Sequence, residues 1–155
     1  MTKQRLMYFA YGSNLDLDRM LSRCPFAEPV TQALAYGYRL AFRANKMGYG
    51  VATIVPAENR KMYGALYEIT SRDLQMLDMF EGYPSSYTHQ FIPVEAKGLG
   101  LITAITYIKD TRAKAAPPLT TYLKYIYRGY NDWNLPTGEL IRCIGSIQDR
   151  IVRIV

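Results

Sequence analysis

Short runs of alternating apolar and polar positions predict several β-strands. In YRLAFR, at positions 38–43, apolar residues occupy every second place, which is typical of a half-buried strand. Residues 5–11 also read as a strand. Further β-branched and aromatic runs occur in GVATIVP, MYGALYEI, YTHQFIPVEA and LITAITYI. The pattern therefore predicts at least six strands.

A short helix is predicted directly after the first strand. The strand runs into Gly-Ser-Asn, and helical spacing then extends over about 16–23. Asn14 and Asp16 are both suitable N-cap residues, because their side-chain oxygens can accept from the first backbone N–H groups of a helix. Pro25 cannot continue a helix and so marks the end of this one.

Two further helices are predicted between and after the later strands. Thr70 and Asp73 have the T-x-x-D spacing of a capping box, and apolar residues then recur at helical intervals over about 71–80. A third helix is predicted from the Pro-Pro pair at 117–118 to about Tyr130, since proline is favoured in a first helical turn. The stretch 109–118 before it reads as a surface loop.

The end of the chain is open to two interpretations. Leu140, Ile144, Ile147 and Ile151 recur at three- and four-residue intervals, as in a helix, whereas the ending IVRIV suits a strand. Many strands with a few interspersed helices, and no regular β-α alternation, favour the α+β class. We expect a mainly antiparallel sheet, which either stays open or closes into a barrel.

Composition indicates a soluble protein with one domain over residues 1–155. Apolar residues make up 49% of the chain and charged residues 21%, which is ordinary for a globular protein. The first apolar run is too short for a signal peptide, and none is long enough to span a membrane, so the cytoplasm is the expected compartment. Cys24 and Cys143 are far apart and indicate neither a disulfide framework nor a zinc site.

The net charge of +6 does not by itself indicate a nucleic-acid partner. Lysine and arginine residues are scattered along the chain without a basic block or stripe. A field of this sign can also attract small acidic substrates. We therefore expect a small-molecule ligand and no nucleic-acid or membrane partner.

The turn at Gly12, Ser13 and Asn14 is a candidate anion-binding loop. Backbone N–H groups at the start of a helix lack intrahelical acceptors, and they lie near the positive end of the helix dipole. Gly12 also allows a close backbone approach that a side chain would block. The alternative is a plain capped turn, a common role for these residue types.

Glu81, in LQMLDMFEGYP, is the candidate acid/base. It follows Leu77 by four residues and Leu74 by seven, so helical geometry turns it toward the apolar face. Burial and the negative end of the helix dipole both favour the protonated form, and a raised pKa suits a general base near neutral pH. A frayed, solvated residue at the helix end is the alternative.

Several other residues have side chains that could take part in chemistry, but the sequence gives less support for a functional role at each of them. Tyrosine occurs 14 times, and most copies are expected in the core or on strand faces. His89 is the single histidine and reads as a surface or cross-strand residue rather than a catalyst. The tyrosines placed to line a cavity and present a hydroxyl are Tyr8, Tyr11, Tyr87, Tyr107 and Tyr122.

The chain resembles the gamma-glutamylcyclotransferase-like family. The resemblance is carried by YFAYGSNL at 8–15, LDMFEGYPSSY at 77–87 and PPLTTYLKYI at 117–126, and it covers about residues 6–136. It implies a small mixed barrel with flanking helices and a cavity at its mouth. It implies nothing for the segment after Pro136.

By this resemblance, the protein would cyclise a gamma-glutamyl amide to 5-oxoproline and release the amine. Glu81 would be the acid/base, no cofactor or metal would be needed, and the identity of the amine stays open. The alternative is a non-catalytic module that binds small carboxylates on the same fold. The residues implied to bind substrate are Tyr8, Phe9, Ala10, Tyr11, Gly12, Ser13, Asn14, Leu15, Tyr87 and Tyr122.

Overall fold

Five strands and four helices form the part of the chain that the structure describes. A computed structural model of the protein describes residues 5–110 and 112–154, with side chains as far as Ser146. The strands are β1 (Arg5–Ala10), β2 (Glu28–Ala44), β3 (Gly50–Thr70), β4 (Tyr87–Ala96) and β5 (Gly100–Lys109). The helices are α1 (Leu17–Arg23), α2 (Ser71–Glu81), α3 (Thr120–Asp132) and α4 (Gly138–Ile154).

The strands form one closed barrel in the order β1-β3-β2-β4-β5. Four of the five pairings are antiparallel, and a parallel pairing of β1 with β5, through Tyr8 and Ile105, completes the circle. The α+β class and the mainly antiparallel barrel predicted from sequence are therefore confirmed. Closure also removes the exposed strand edges of an open sheet.

The expected number of strands is wrong, because one pair of predicted runs is continuous. GVATIVP and MYGALYEI both belong to β3, and YRLAFR is the second half of β2. Residues 57–61 are largely exposed and lie mid-way along the β2–β3 pairing, where Asn59 has a positive φ. A register shift between Tyr36 and Tyr38 lets the long strands bend there without breaking.

The helices mostly agree with their predicted bounds. The Asp16 side chain accepts a hydrogen bond from Arg19 N, so Asp16, and not Asn14, caps α1. Thr70 and Asp73 form the predicted capping box of α2. The third helix begins at Thr120, later than predicted, because the backbone of Leu119 is still extended.

The last segment is helical rather than a strand. Leu140 is fully buried and Ile144 packs against the core, as the helical interpretation requires. The side chains of Ile147 and Ile151 lie outside the described residues, as does position 111 of the predicted loop. Within the described residues, no helix is both long enough and apolar enough to cross a membrane.

Candidate active site

A cavity of about 300 Å³ lies where β1 ends and α2 ends. The loop that follows β1 forms one wall of the cavity, and Glu81, in the last turn of α2, lies in another wall. Residues of α1, β3, β5 and α3 complete the walls. Of the residues singled out from sequence, those that line the cavity are Tyr8, Tyr11, Gly12, Ser13, Asn14, Glu81, Tyr87, Tyr107 and Tyr122.

Three residues of the predicted binding set do not line the cavity. Phe9, Ala10 and Leu15 are almost completely buried in the hydrophobic core. Leu15 packs beneath Gly129 of α3, where a Cβ on the glycine would lie 2.3 Å from the leucine Cβ. A continuous stretch of sequence cannot present every side chain to one cavity. These three side chains instead pack in the core and hold the loop in position.

The loop is a 3-10 turn over Ser13–Leu15, which sequence analysis did not separate from the following helix. Leu15 N donates to Gly12 O at 3.0 Å, and Asp16 N donates to Ser13 O at 3.2 Å. Gly12 passes close to β3, since a Cβ at this position would lie 3.0 Å from Ala52 Cβ. The chain needs glycine here because the backbone forms the cavity wall.

The dipole of α1 does not act on this cavity, contrary to the expectation that its positive end would favour an anion at the loop. Its first turn is capped by Asp16, and Leu17 N donates to Asp132 Oδ2 at 3.0 Å. The protein's own carboxylates therefore satisfy that helix end. The turn at Gly12–Asn14, and not the helix after it, faces the cavity.

Glu81 is held in the cavity by the geometry of α2. It shares a helix face with fully buried Leu77, and Gly82 ends the helix in the left-handed conformation directly after it. The Glu81 side chain is 18% exposed. Burial raises the pKa of Glu81, and the nearby charges of Arg23 and Arg19 oppose that rise.

Asn14 joins the loop to this carboxyl group. Its Nδ2 donates to Glu81 Oε1 at 3.3 Å and to Tyr8 Oη at 3.0 Å. Its Oδ1 accepts from Arg23 Nη1 at 3.1 Å. Tyr67 Oη donates to the backbone oxygen of Asn14 at 2.9 Å, which fixes the residue from the core side. Asn14 is therefore the centre of a buried polar network.

Two of the predicted tyrosines hold β3 in place at the cavity wall. Tyr87 Oη donates to Ala52 O at 2.7 Å, and Ala52 N donates to Tyr122 Oη at 2.9 Å. Burial raises the pKa of Tyr122 to about 12 and the pKa of Tyr87 well above its usual range. Both hydroxyls therefore stay neutral and can donate or accept hydrogen bonds at physiological pH.

The family model "Gamma-glutamyl cyclotransferase, AIG2-like" matches residues 8–133, which include the loop, Glu81 and the tyrosines of the cavity. This chain belongs to that family. The family predicted from sequence is therefore confirmed.

Named relatives agree with the assignment to the gamma-glutamyl cyclotransferase, AIG2-like family. A gamma-glutamylcyclotransferase of Homo sapiens is 30% identical over 142 residues, covering 86% of this chain and 74% of the relative. One from Bos taurus is 30% identical over 153 residues, covering 94% and 80%. A solved gamma-glutamyl cyclotransferase superposes with a TM-score of 0.79 at 26% identity, covering 94% of this chain and 87% of that one. These matches support an enzyme with cyclotransferase activity.

Three cations in the cavity of this gamma-glutamyl cyclotransferase family member were not predicted. Arg19 and Arg23 lie one turn apart on α1, and Lys109 ends β5. Lys109 is buried, and burial lowers its pKa. The i,i+4 spacing of the two arginines after the loop could have indicated from sequence that both lie on one face of α1. The position of Lys109 could not, because it depends on closure of the barrel.

His89 lies beside the cavity of this family member rather than in its lining. It pairs with Tyr107 across β4 and β5 and stacks on Tyr83 with ring centroids 4.2 Å apart. Its Nε2 is 3.4 Å from Asp78 Oδ1. The prediction of a cross-strand residue is therefore confirmed.

Proposed function

We propose that this enzyme converts a gamma-glutamyl amide to 5-oxoproline and a free amine, with Glu81 as the general acid/base. One observation carries the proposal: a buried carboxyl group with a raised pKa faces a glycine loop across a single cavity. The names of the relatives supply the reaction class. The residues of the cavity supply the acid/base group and the hydrogen-bond donors that this reaction needs.

The glutamyl end of the substrate would bind at the loop. Backbone N–H groups of a 3-10 turn's first residues have no acceptor within that turn, so they are available to a carboxylate. Gly12, Ser13 and Asn14 supply these groups. Arg19, Arg23 and Lys109 add positive charge around the same space, which favours an anionic substrate.

In the first step, Glu81 accepts a proton from the α-ammonium group of the substrate. The freed amine then attacks the substrate's own γ-carbonyl carbon, and the new C–N bond closes the five-membered ring. The carbonyl π electrons move onto oxygen, where donors of the loop stabilise the negative charge. The attack is intramolecular, so the cavity needs only to hold the folded-back conformation.

In the second step, the protonated Glu81 returns the proton to the leaving nitrogen. The tetrahedral intermediate collapses, the original amide C–N bond breaks, and the C=O bond of 5-oxoproline re-forms. The carboxylate of Glu81 then takes the second proton of the ring nitrogen, which leaves the neutral lactam, and passes it to the released amine, which departs as an ammonium ion. Glu81 therefore ends as a carboxylate, and the proton balance closes over one turnover. The attacking group belongs to the substrate, so the scheme needs neither an enzyme nucleophile nor a cofactor.

A substrate panel tests this function. The protein is incubated with gamma-glutamyl amino acids and gamma-glutamyl amines, and 5-oxoproline is quantified. Glu81→Gln keeps the size and one hydrogen-bond acceptor of the side chain but cannot exchange a proton, so we expect kcat to fall by about 10²- to 10⁴-fold. Glu58→Gln, an identical change at an exposed position, is the matched control and should behave like the parent.

Two outcomes would contradict the proposal. Equal turnover by Glu81→Gln and the parent would remove Glu81 from its role. If no panel member yields 5-oxoproline while calorimetry detects binding of small carboxylates, the protein is a binding module and not a cyclotransferase for these substrates.

A further inference from the structure

A second cavity, which we call the arginine cavity, lies between the second half of β2 and the first turns of α4. Its volume is about 310 Å³, and it shares no lining residue with the cavity that holds Glu81. Segment 39–43 of β2 forms one wall and the first turns of α4 form the other. The described residues that line it include Arg39, Ala41, Arg43, Arg60, Glu139 and Arg142.

The arginine cavity is strongly cationic. Four guanidinium groups line it, and Glu139 is the acidic residue in its described lining. Glu139 contacts Arg60 and lies 3.7 Å from Arg142. Among the described residues, Arg39 and Arg43 have no carboxylate within 4.0 Å. One carboxylate therefore cannot balance the charge of this cavity.

The alternation of β2 explains why two arginines face the same way. Arg39, Ala41 and Arg43 are every second residue of the strand, so they share the face turned away from the barrel interior. Arg39 and Arg43 are about 13 Å apart along the strand at about 3.3 Å per residue. Ala41 between them is small and leaves the space open.

Arg43 also has an unsatisfied donor. Its Nη1 donates to Ala113 O at 3.3 Å, which holds the guanidinium against the loop before α3. Its Nε is buried, and no described residue accepts a hydrogen bond from it. A buried N–H group without an acceptor destabilises the fold, and a bound anion would supply the missing oxygen.

We propose that the arginine cavity is a second ligand site, which binds a small molecule carrying two or more anionic groups. Guanidinium groups bind phosphate and carboxylate oxygens through paired N–H donors, and they stay charged at every physiological pH. Arg39 and Arg43 bind the inner part of the ligand. Arg60 and Arg142, whose side chains are 46% and 80% exposed, bind it at the rim.

Calorimetry on the full chain at low, fixed ionic strength tests the site. The probes are inorganic pyrophosphate and citrate, titrated separately, and the tighter probe identifies phosphate or carboxylate as the preferred group. We expect saturable binding of at least one probe that is tenfold or more weaker in Arg43→Gln and in Arg142→Gln. Arg142 is on the surface, so its variant tests the site even if Arg43→Gln folds poorly.

Two control variants keep the test specific. Arg112→Gln removes an arginine whose side chain is 89% exposed and which lines neither cavity, so it should bind like the parent. Arg23→Gln alters the cavity of Glu81 and should leave in place the binding that depends on Arg43 and Arg142. Binding that is lost in Arg23→Gln, unchanged in both Arg43→Gln and Arg142→Gln, or absent with both probes would overturn the proposal. None of these outcomes bears on 5-oxoproline formation.

Discussion

Asn14 Nδ2 donates to Glu81 Oε1 at 3.3 Å, which connects two residues that are 67 positions apart in the chain. The contact joins the turn after β1 to the last turn of α2. The same amide accepts from Arg23 at 3.1 Å, so the carboxyl group, the loop and a cation form one unit. The protonation of Glu81 therefore depends on the exact position of the loop.

Asn14→Ala should weaken the proposed reaction without unfolding the protein. The substitution removes a hydrogen bond to a charged group, so we expect kcat/KM to fall by about 10- to 100-fold. Because this hydrogen bond lowers the pKa of Glu81, its loss should also move the acid limb of the pH profile to higher pH. The measurement is kcat/KM against pH. Asn131→Ala, at an exposed position of α3, should change neither quantity.

Arg23→Gln should shift the pH profile in the same direction. A base must be deprotonated to act, so activity falls as the pH drops through the pKa of Glu81, which lies above the unperturbed 4.5. The charge of Arg23 lowers that pKa, and removing the charge raises it further. Arg72→Gln, on the exposed first turn of α2, is the control. An acid limb that stays in place in Arg23→Gln would contradict the electrostatic account.

Glu81→Gln should make the protein more stable at pH 7. The pKa of Glu81 is raised on folding, so the folded protein binds this proton more tightly than the unfolded chain does. The stability that comes with the protonated form is therefore lost as the pH rises through the folded pKa. Gln removes this loss, and Tm at pH 7 should exceed that of the parent and of Glu58→Gln. The difference should shrink at acidic pH, and a lower Tm at pH 7 would contradict the prediction.

Gly129→Ala should destabilise the fold. A Cβ there would lie 2.3 Å from Leu15 Cβ and 2.7 Å from Asp16 N, so α3 would have to move away from the loop. Overpacking of this kind costs about 1–3 kcal/mol of unfolding free energy. Gly145→Ala on α4 is the matched control, because among the described residues no heavy atom outside its chain neighbours and its own helix backbone lies within 4 Å of its Cβ. Urea denaturation of both variants measures the difference, and equal midpoints would contradict it.

Much of the site could be predicted because its signals are local. The Gly12–Asn14 turn follows from a strand that breaks on three turn-forming residues. The position of Glu81 follows from helical spacing to Leu77 and from the Gly82 that ends the helix. The capping box at Thr70 and Asp73 also depends only on neighbours within one turn, and all three features are present.

Sequence reasoning was less successful where elements far apart in the chain meet. Lys109 enters the cavity only because the barrel closes β5 onto β1. Phe9 and Leu15 belong to the same motif as Asn14 but point into the core. Two runs read as separate strands proved to be one, because both pair with the same long strand β2, on either side of the register shift between Tyr36 and Tyr38.

The sequence by itself determined most of the elements, the capping box of α2, the family and the two ends of the candidate active site. Each of these depends on periodicity or on residue types within a few positions. Only the tertiary structure decided which side chains share a cavity, that Asn14 contacts Glu81, and that Arg39 and Arg43 face α4 beside a single carboxylate. Burial and charge balance are sums over residues that are distant in sequence, so they are fixed only when the barrel closes and the helices pack on it.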